Sequence, residues 1–182
     1  ILYSVPPFRL RQTACKPFVN FTVGAVPVLI VAGFTNAFSV SVLTLVIFIG
    51  ITTSVNSLWE DLSDYASDIT NGARTVHIIF GLRTGLLLTI VMGYCLIPLM
   101  ILVGILFQMD FIYYIILSAL TAFISLRLAK NRATLYKGRE TDTERLLKLG
   151  DVLAKDFVIV AIIQTVNLML SSYLKLGHIL PL

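Results

Sequence analysis

The segment "FSVSVLTLVIFIGITTSVNSLWEDLSDYASDITNGARTV", residues 38–76, joins a long apolar run to a short polar island at 57–76. The apolar run approaches the roughly 20 residues that an α-helix needs to cross a hydrocarbon core about 30 Å thick. The island places Asp61, Asp64 and Asp68 close together in a chain with only 13% charged residues. This arrangement predicts an acidic site at the end of a membrane helix.

The composition indicates an integral membrane protein, because 57% hydrophobic residues and a mean hydropathy of +0.91 exceed what a soluble domain carries. Internal Pro and Gly are tolerated in membrane helices, and nothing alternates apolar and polar residues as the strands of a membrane barrel do. We therefore expect an all-α transmembrane bundle forming one domain over residues 1–182. Its predicted spans are 18–34, 38–58, 84–107, 111–127 and 156–174.

The placement of basic residues predicts the topology, since Lys and Arg collect in cytoplasmic loops. If the N-terminus is cytoplasmic, thirteen of the fourteen basic residues lie on that side, and Lys175 lies outside. The external turns, 35–39 and 108–111, are then short and nearly uncharged. The acidic island falls on the cytoplasmic side. The net charge of +4 thus indicates topology, and without a soluble basic domain we expect no nucleic-acid partner.

The spacing of the acids favours a metal site. On one helix, at about 100° per residue, Asp61, Asp64 and Asp68 fall within an arc of roughly 60°. Three carboxylates this close repel one another unless a cation or hydrogen-bond donors compensate them. Oxygen-rich sites suit Mg²⁺, which keeps several waters and is completed by substrate phosphates. The alternative is an ordinary solvated loop balanced by nearby Lys and Arg.

The island resembles the second aspartate-rich motif of the UbiA superfamily of intramembrane prenyltransferases. The pattern D-x-x-D-x-x-x-D, then G-x-[KR]-T-[LV] and a further Gly, is matched without a gap. A second segment, "YSVPPFRLRQ" at 3–12, resembles Y-S-x-P-P-x-[RK]-L-[RK], which several members carry between their fourth and fifth helices. The resemblance covers the chain as the fifth to ninth helices of a nine-helix bundle. The residues that match the acidic motif are Asp61, Asp64, Asp68, Gly72, Arg74, Thr75, Val76 and Gly81.

The resemblance implies Mg²⁺-dependent transfer of a polyprenyl group from its diphosphate to a hydrophobic or aromatic acceptor, within the lipid bilayer. It implies that Asp61, Asp64 and Asp68 bind metal and diphosphate. The implied substrate-binding residues divide by role: Arg9 and Arg11 contact diphosphate, and Tyr3 and Ser4 line the acceptor side. Arg74 either clamps phosphate or pairs with the aspartates, and both roles stay open.

The chemical identity of the acceptor stays undetermined as well. The G-x-R-T ending resembles quinone-pathway members, whereas the Y-S-x-P-P segment resembles chlorophyll and archaeal ether-lipid members. The sequence also departs from the family at Ala66-Ser67, where members often have Glu-Gly, and at His77, where many have Pro. We expect His77 to be a packed or capping residue rather than a base.

The first motif of the family, N-D-x-x-D-x-x-x-D, does not occur in the sequence. We therefore expect the chain to be the C-terminal part of a longer prenyltransferase and to be inactive alone. One alternative is a non-catalytic remnant or assembly subunit of the same fold. Another is a small transporter, which would carry acids midway along its spans.

The segment 127–150 predicts a charged loop followed by a short amphipathic helix along the headgroups. Thr141 and Glu144 have capping-box spacing. Lys155 and Asp156 open the last predicted span, where Lys155 either reaches the pocket or extends to the membrane interface.

Overall fold

The computed structural model describes residues 10–137 and 143–179. Five of the described helices are long and apolar enough to cross a membrane, and no strand occurs in the described ranges, so the predicted all-α bundle is confirmed. A short 3₁₀ helix, Leu10–Gln12, comes first. The α-helices are α1 (Lys16–Phe34), α2 (Val40–Ser63), α3 (Tyr65–Thr70), α4 (Val76–Ile79), α5 (Leu82–Leu106), α6 (Phe111–Lys130), α7 (Arg132–Lys137) and α8 (Thr143–Ile179).

The two predicted external turns close antiparallel helix pairs in the same way. After α1, the amide of Ala37 donates to the carbonyl of Ala32 at 2.9 Å, and after α5 the amide of Met109 donates to Gly104 at 2.9 Å. A bond of this kind, from the amide of residue i to the carbonyl of residue i−5, satisfies a carbonyl at the end of a helix. It forms when the residue just before the donor has the left-handed backbone conformation. Asn36 and Gln108, each with φ of 50°, provide that conformation. Both turns lie at what we call the far end; the end that carries the acidic island is the motif end.

Helix α2 lies at the centre of the bundle and contacts α1, α5 and α8. Small residues bring α1 and α2 together: a Cβ on Gly24 would lie 2.6 Å from Thr53 Oγ1. The Thr53 hydroxyl also donates to the carbonyl of Asn20 at 2.8 Å, across the helix pair. Close packing of small residues and interhelical hydrogen bonds hold helices together where lipid provides no hydrophobic drive.

A polar network joins α5, α6 and α8 towards the far end. The Tyr113 hydroxyl donates to the carbonyl of Met100 at 2.8 Å and accepts from Gln164 at 3.0 Å. Asn167 donates to the Tyr113 carbonyl at 3.1 Å. Beyond it, Lys175 donates to the carbonyl of Phe107 at 2.8 Å, at the end of α5. These polar groups therefore fix three spanning helices to one another.

The last spanning helix corrects the predicted division of the C-terminal region. The prediction of a charged loop and a short amphipathic helix over 127–150 is wrong: α6 continues to Lys130, and α7 occupies Arg132–Lys137. Helix α8 then runs without a break from Thr143 to Ile179, so no separate headgroup helix precedes the last span. Thr141 lies outside the described residues. At about 1.5 Å per residue this helix exceeds the hydrocarbon thickness. Its charged first turns, with the i,i+4 pairs Glu144–Lys148 and Asp151–Lys155, extend the span at the motif end.

Candidate functional site

The core of the candidate site is a buried ion pair between the start of α1 and the end of α2. Lys16 Nζ lies 2.7 Å from Asp61 Oδ1 and 3.4 Å from Glu60 Oε2. The side chains of Lys16 and Asp61 are only 4% and 2% exposed, whereas Glu60 is 54% exposed. Two charges removed from water must compensate each other. The antiparallel α1–α2 hairpin provides this contact across 45 positions of sequence.

Asp61 keeps one carboxylate oxygen without a partner. Its Oδ2 atom is buried and has no hydrogen-bond partner among the described residues. The charges of Asp68 and Glu60 also act on this carboxylate. A buried polar atom that makes no hydrogen bond is costly. It therefore marks a position where a cation or a donor can bind.

The other two acids lie on the far side of a helix break. Helix α2 ends at Ser63, Asp64 occupies a turn, and Asp68 belongs to α3. The angular positions expected for one uninterrupted helix therefore do not apply. Backbone bonds still link the acids, since the amide of Asp68 donates to the carbonyl of Asp64 at 2.8 Å. Asp64 is exposed and Asp68 half-buried, so both are nearer to solvent than Asp61.

The loop after α3 binds the N-terminal segment. The amide of Arg74 donates to the carbonyl of Gln12 at 2.8 Å, and Thr13 and Arg74 form a parallel bridge. The amide of Ala73 donates to the carbonyl of Asp68 at 2.9 Å. The end of the 3–12 segment and the acidic island, which are far apart in sequence, thus lie side by side. The Arg74 side chain itself is exposed.

Helix α4 fixes this loop to α5 through His77. The ring is fully buried, and its Nε2 atom lies 3.4 Å from Thr89 Oγ1. Burial lowers the pKa of His77 to about 4, since desolvation disfavours the charged ring. A Cβ on Gly85 would lie 2.8 Å from the His77 Cα, so only glycine permits this approach. His77 is a packed residue, as predicted.

Lys155 lies on a groove between α2 and α8. The groove is also lined by Glu60 and Asp151. Lys155 Nζ pairs with Asp151 Oδ2 at 2.7 Å, with both side chains largely exposed. Lys155 is therefore at the motif end but binds a carboxylate of its own helix.

Three of the predicted substrate-binding residues, Tyr3, Ser4 and Arg9, lie outside the described residues. Arg11 belongs to the short 3₁₀ helix, but its side chain is not among those that the structure describes. Sequence reasoning missed Lys16, which it used only as a topology signal. The signal that could have identified it is the hairpin itself, because two spans joined by a short turn bring residues 16 and 61 to the same end.

The acidic side chains at this end of the bundle are of the type that Mg²⁺ uses when waters and phosphates complete its coordination. Among the described residues, no three His, Cys, Asp or Glu side chains form a group that could hold a metal unaided. Mg²⁺ commonly uses only one or two carboxylates, with waters and substrate phosphates in the other positions. Asp61 Oδ2 has no hydrogen-bond partner among the described residues, and the negative charge of Asp68 acts on the same carboxylate. Both features favour a cation at this position.

The fold and the site together define a helical membrane protein with an acidic motif at one end of its bundle. The sequence model of the UbiA prenyltransferase family matches residues 1–145, most of the chain. The protein belongs to the UbiA prenyltransferase family. No curated protein and no solved structure matches it.

Proposed function

We propose that this chain carries the second acidic motif of a Mg²⁺-dependent prenyltransferase, which transfers a polyprenyl group from its diphosphate to an aromatic or other lipid-precursor acceptor. The observation that carries the proposal is the environment of Asp61. It is buried at the end of a spanning helix, and one of its carboxylate oxygens has no partner among the described residues. Acidic side chains in such positions are costly and usually functional.

In this proposal Asp61, Asp64 and Asp68 hold the metal. Mg²⁺, when bound, supplies positive charge that neutralises the diphosphate as the leaving group. Lys16 keeps Asp61 ionised and oriented, because its ammonium is held 2.7 Å from the Oδ1 atom. Asp64 is exposed and Asp68 half-buried, which leaves both accessible to a substrate from the membrane surface.

The N-terminal segment contributes the cationic donors. The bond between Arg74 and Gln12 supports this assignment, because it holds the end of the 3–12 segment beside the acidic island. Arg9, Arg11 and Arg74 contact diphosphate oxygens, for which guanidinium groups are suited. Tyr3 and Ser4 line the acceptor side, and Lys155 contributes charge at the groove between α2 and α8. The site faces the cytoplasm, in agreement with the excess of basic residues at the motif end.

The test is an assay of the full-length protein in proteoliposomes, with polyprenyl diphosphates of several lengths. Aromatic acids, quinone precursors and glycerol-phosphate ethers serve as acceptors. We expect Mg²⁺-dependent product with one acceptor class, and none after chelation or in the variant carrying both Asp61→Asn and Asp64→Asn. Undiminished transfer by that variant would refute the assignment of the aspartates.

A further inference from the structure

A cavity lies between α5, α6 and α8. Its walls are almost entirely apolar. Trp59 of α2 closes one side and packs against Phe157 of α8, with ring centroids 6.2 Å apart. The residues that line most of its depth include Ile90, Leu96, Leu117, Leu120, Leu153 and Val160. An apolar cavity inside a membrane bundle suits a hydrocarbon chain.

The depth of the cavity matches one leaflet of a bilayer. Its lining on α5 runs from Ile90 to Met100. Ten residues of helix rise about 15 Å, which is half of a hydrocarbon core about 30 Å thick. The cavity ends towards the far end at Met100, whose carbonyl is bound by the Tyr113 hydroxyl. It therefore has the length of one lipid chain that enters from the motif end.

Arg127 and Asp156 line the cavity, and Lys130 follows Arg127 in the last turn of α6. Arg127 pairs with Asp156 at 3.1 Å, lies 5.6 Å from the Phe123 ring centroid, and keeps 43% of its side chain exposed. A guanidinium has five N–H donors, so the pair with Asp156 leaves others for a phosphate. Lys130, in the same last turn of α6, is exposed. This end of the cavity is complementary to an anionic headgroup.

Gly93 contributes to the empty volume. A Cβ built on Gly93 meets no atom within 4 Å, whereas the same atom on Gly24, Gly50, Gly85, Gly104 or Gly150 would lie within 3 Å of a neighbour. Glycine within a helix is destabilising relative to alanine. Close packing offsets that cost at the other five positions. At Gly93 the small residue instead leaves space in the cavity wall.

The cavity and the acidic motif lie on different sides of α2. Trp59 lines the cavity, whereas Asp61, two positions further and about 200° around the helix, contacts Lys16 of α1. We propose that the cavity binds one acyl chain of an anionic glycerophospholipid from the leaflet at the motif end, with its phosphate at Arg127 and Lys130. This inference is independent of the proposed reaction.

Trp59 provides the probe, because it is the single tryptophan of the sequence and lines the cavity. The full-length protein is reconstituted in vesicles of phosphatidylglycerol or phosphatidylcholine with brominated acyl chains, which quench tryptophan on contact. A Trp59→Phe variant supplies the background to subtract. We expect Trp59 to be quenched more strongly by the anionic lipid, and this preference to disappear in Arg127→Gln. Equal quenching by both lipids would overturn the headgroup assignment.

The matched pair Gly93→Phe and Val91→Phe tests the position of the chain. Gly93→Phe fills the cavity and should abolish quenching, whereas Val91, 58% exposed on the same helix, lies outside it, so Val91→Phe should not. Gly93→Leu replaces Gly93→Phe if the larger residue prevents folding. Absent quenching, or quenching that survives in the Gly93 variant, would overturn the proposal. So would displacement of the brominated chain by a polyprenyl diphosphate but not by excess unlabelled phosphatidylglycerol.

Discussion

The ion pairs Lys16–Asp61 and Arg127–Asp156, both at the motif end, differ in burial. Lys16–Asp61 joins α1 to α2 with side chains 4% and 2% exposed, while Arg127–Asp156 joins α6 to α8 with side chains 43% and 10% exposed. Water and headgroups can reach Arg127, but Lys16 and Asp61 depend on each other. Burial therefore indicates that the fold depends more strongly on the Lys16–Asp61 pair, whereas Arg127 keeps donors within reach of the membrane surface.

The largest effect is expected from Lys16→Met. It leaves the Asp61 carboxylate buried and uncompensated, which should lower the free energy of unfolding by about 3–5 kcal/mol. Arg127→Met is the matched variant and should cost about 1–3 kcal/mol, since its pair is partly solvated. Denaturant unfolding in mixed micelles measures both. The double variant Lys16→Met with Asp61→Leu should regain most of the loss. Equal costs for the two single variants would remove the distinction between the pairs.

The next largest effect concerns acid stability, through His77. Its pKa falls from an ordinary 6.5 to about 4 in the folded protein, because the ring is buried. The unfolded chain binds the extra proton between these values, so the stabilisation is complete above pH 6.5 and is lost as the pH falls towards 4. At pH 4.5 the loss should be about 2–3 kcal/mol. Unfolding of His77→Phe should depend less steeply on pH over this interval; identical slopes would contradict the assignment.

Two glycines of α5 allow a closely packed position, Gly85, to be compared with an open one, Gly93. Gly85→Ala should destabilise by about 1–3 kcal/mol, because the added Cβ would press on the backbone of His77. Gly93→Ala should be neutral or stabilising by up to about 1 kcal/mol, since nothing lies within 4 Å. Thermal unfolding of both variants provides the comparison, and a loss of stability in Gly93→Ala would mean that the cavity wall is closed.

The smallest effect is expected in the neutral network. Tyr113→Phe removes the hydroxyl that donates to Met100 and accepts from Gln164. Interhelical hydrogen bonds in membranes average about 0.6 kcal/mol, so the free energy of unfolding should fall by about 1 kcal/mol for the two bonds. A cost as large as that of Lys16→Met would show that burial of charge is not the dominant distinction.

Hydropathy predicted the five spans and the acidic island, because the bilayer requires apolar helices of a minimum length. It did not predict that α8 continues through residues 143–155, since charged residues with good helix propensity extend a helix into the headgroups as readily as they end it. The pairing of Lys16 with Asp61 depends on contact between two helices, which no local pattern records. The open space at Gly93 likewise depends on three helices that meet around it.

The proposed functional site comprises Asp61 at the end of α2 and Asp64 and Asp68 just after it. Asp64 and Asp110 allow a matched comparison, because both are exposed and occupy turns at opposite ends of the bundle. Electron paramagnetic resonance of Mn²⁺, used in place of Mg²⁺, measures metal bound to the full-length protein in the presence of polyprenyl diphosphate. We predict that Asp64→Asn greatly weakens Mn²⁺ binding and that Asp110→Asn leaves it unchanged. Equal Mn²⁺ binding by both variants and the unaltered protein would contradict the account.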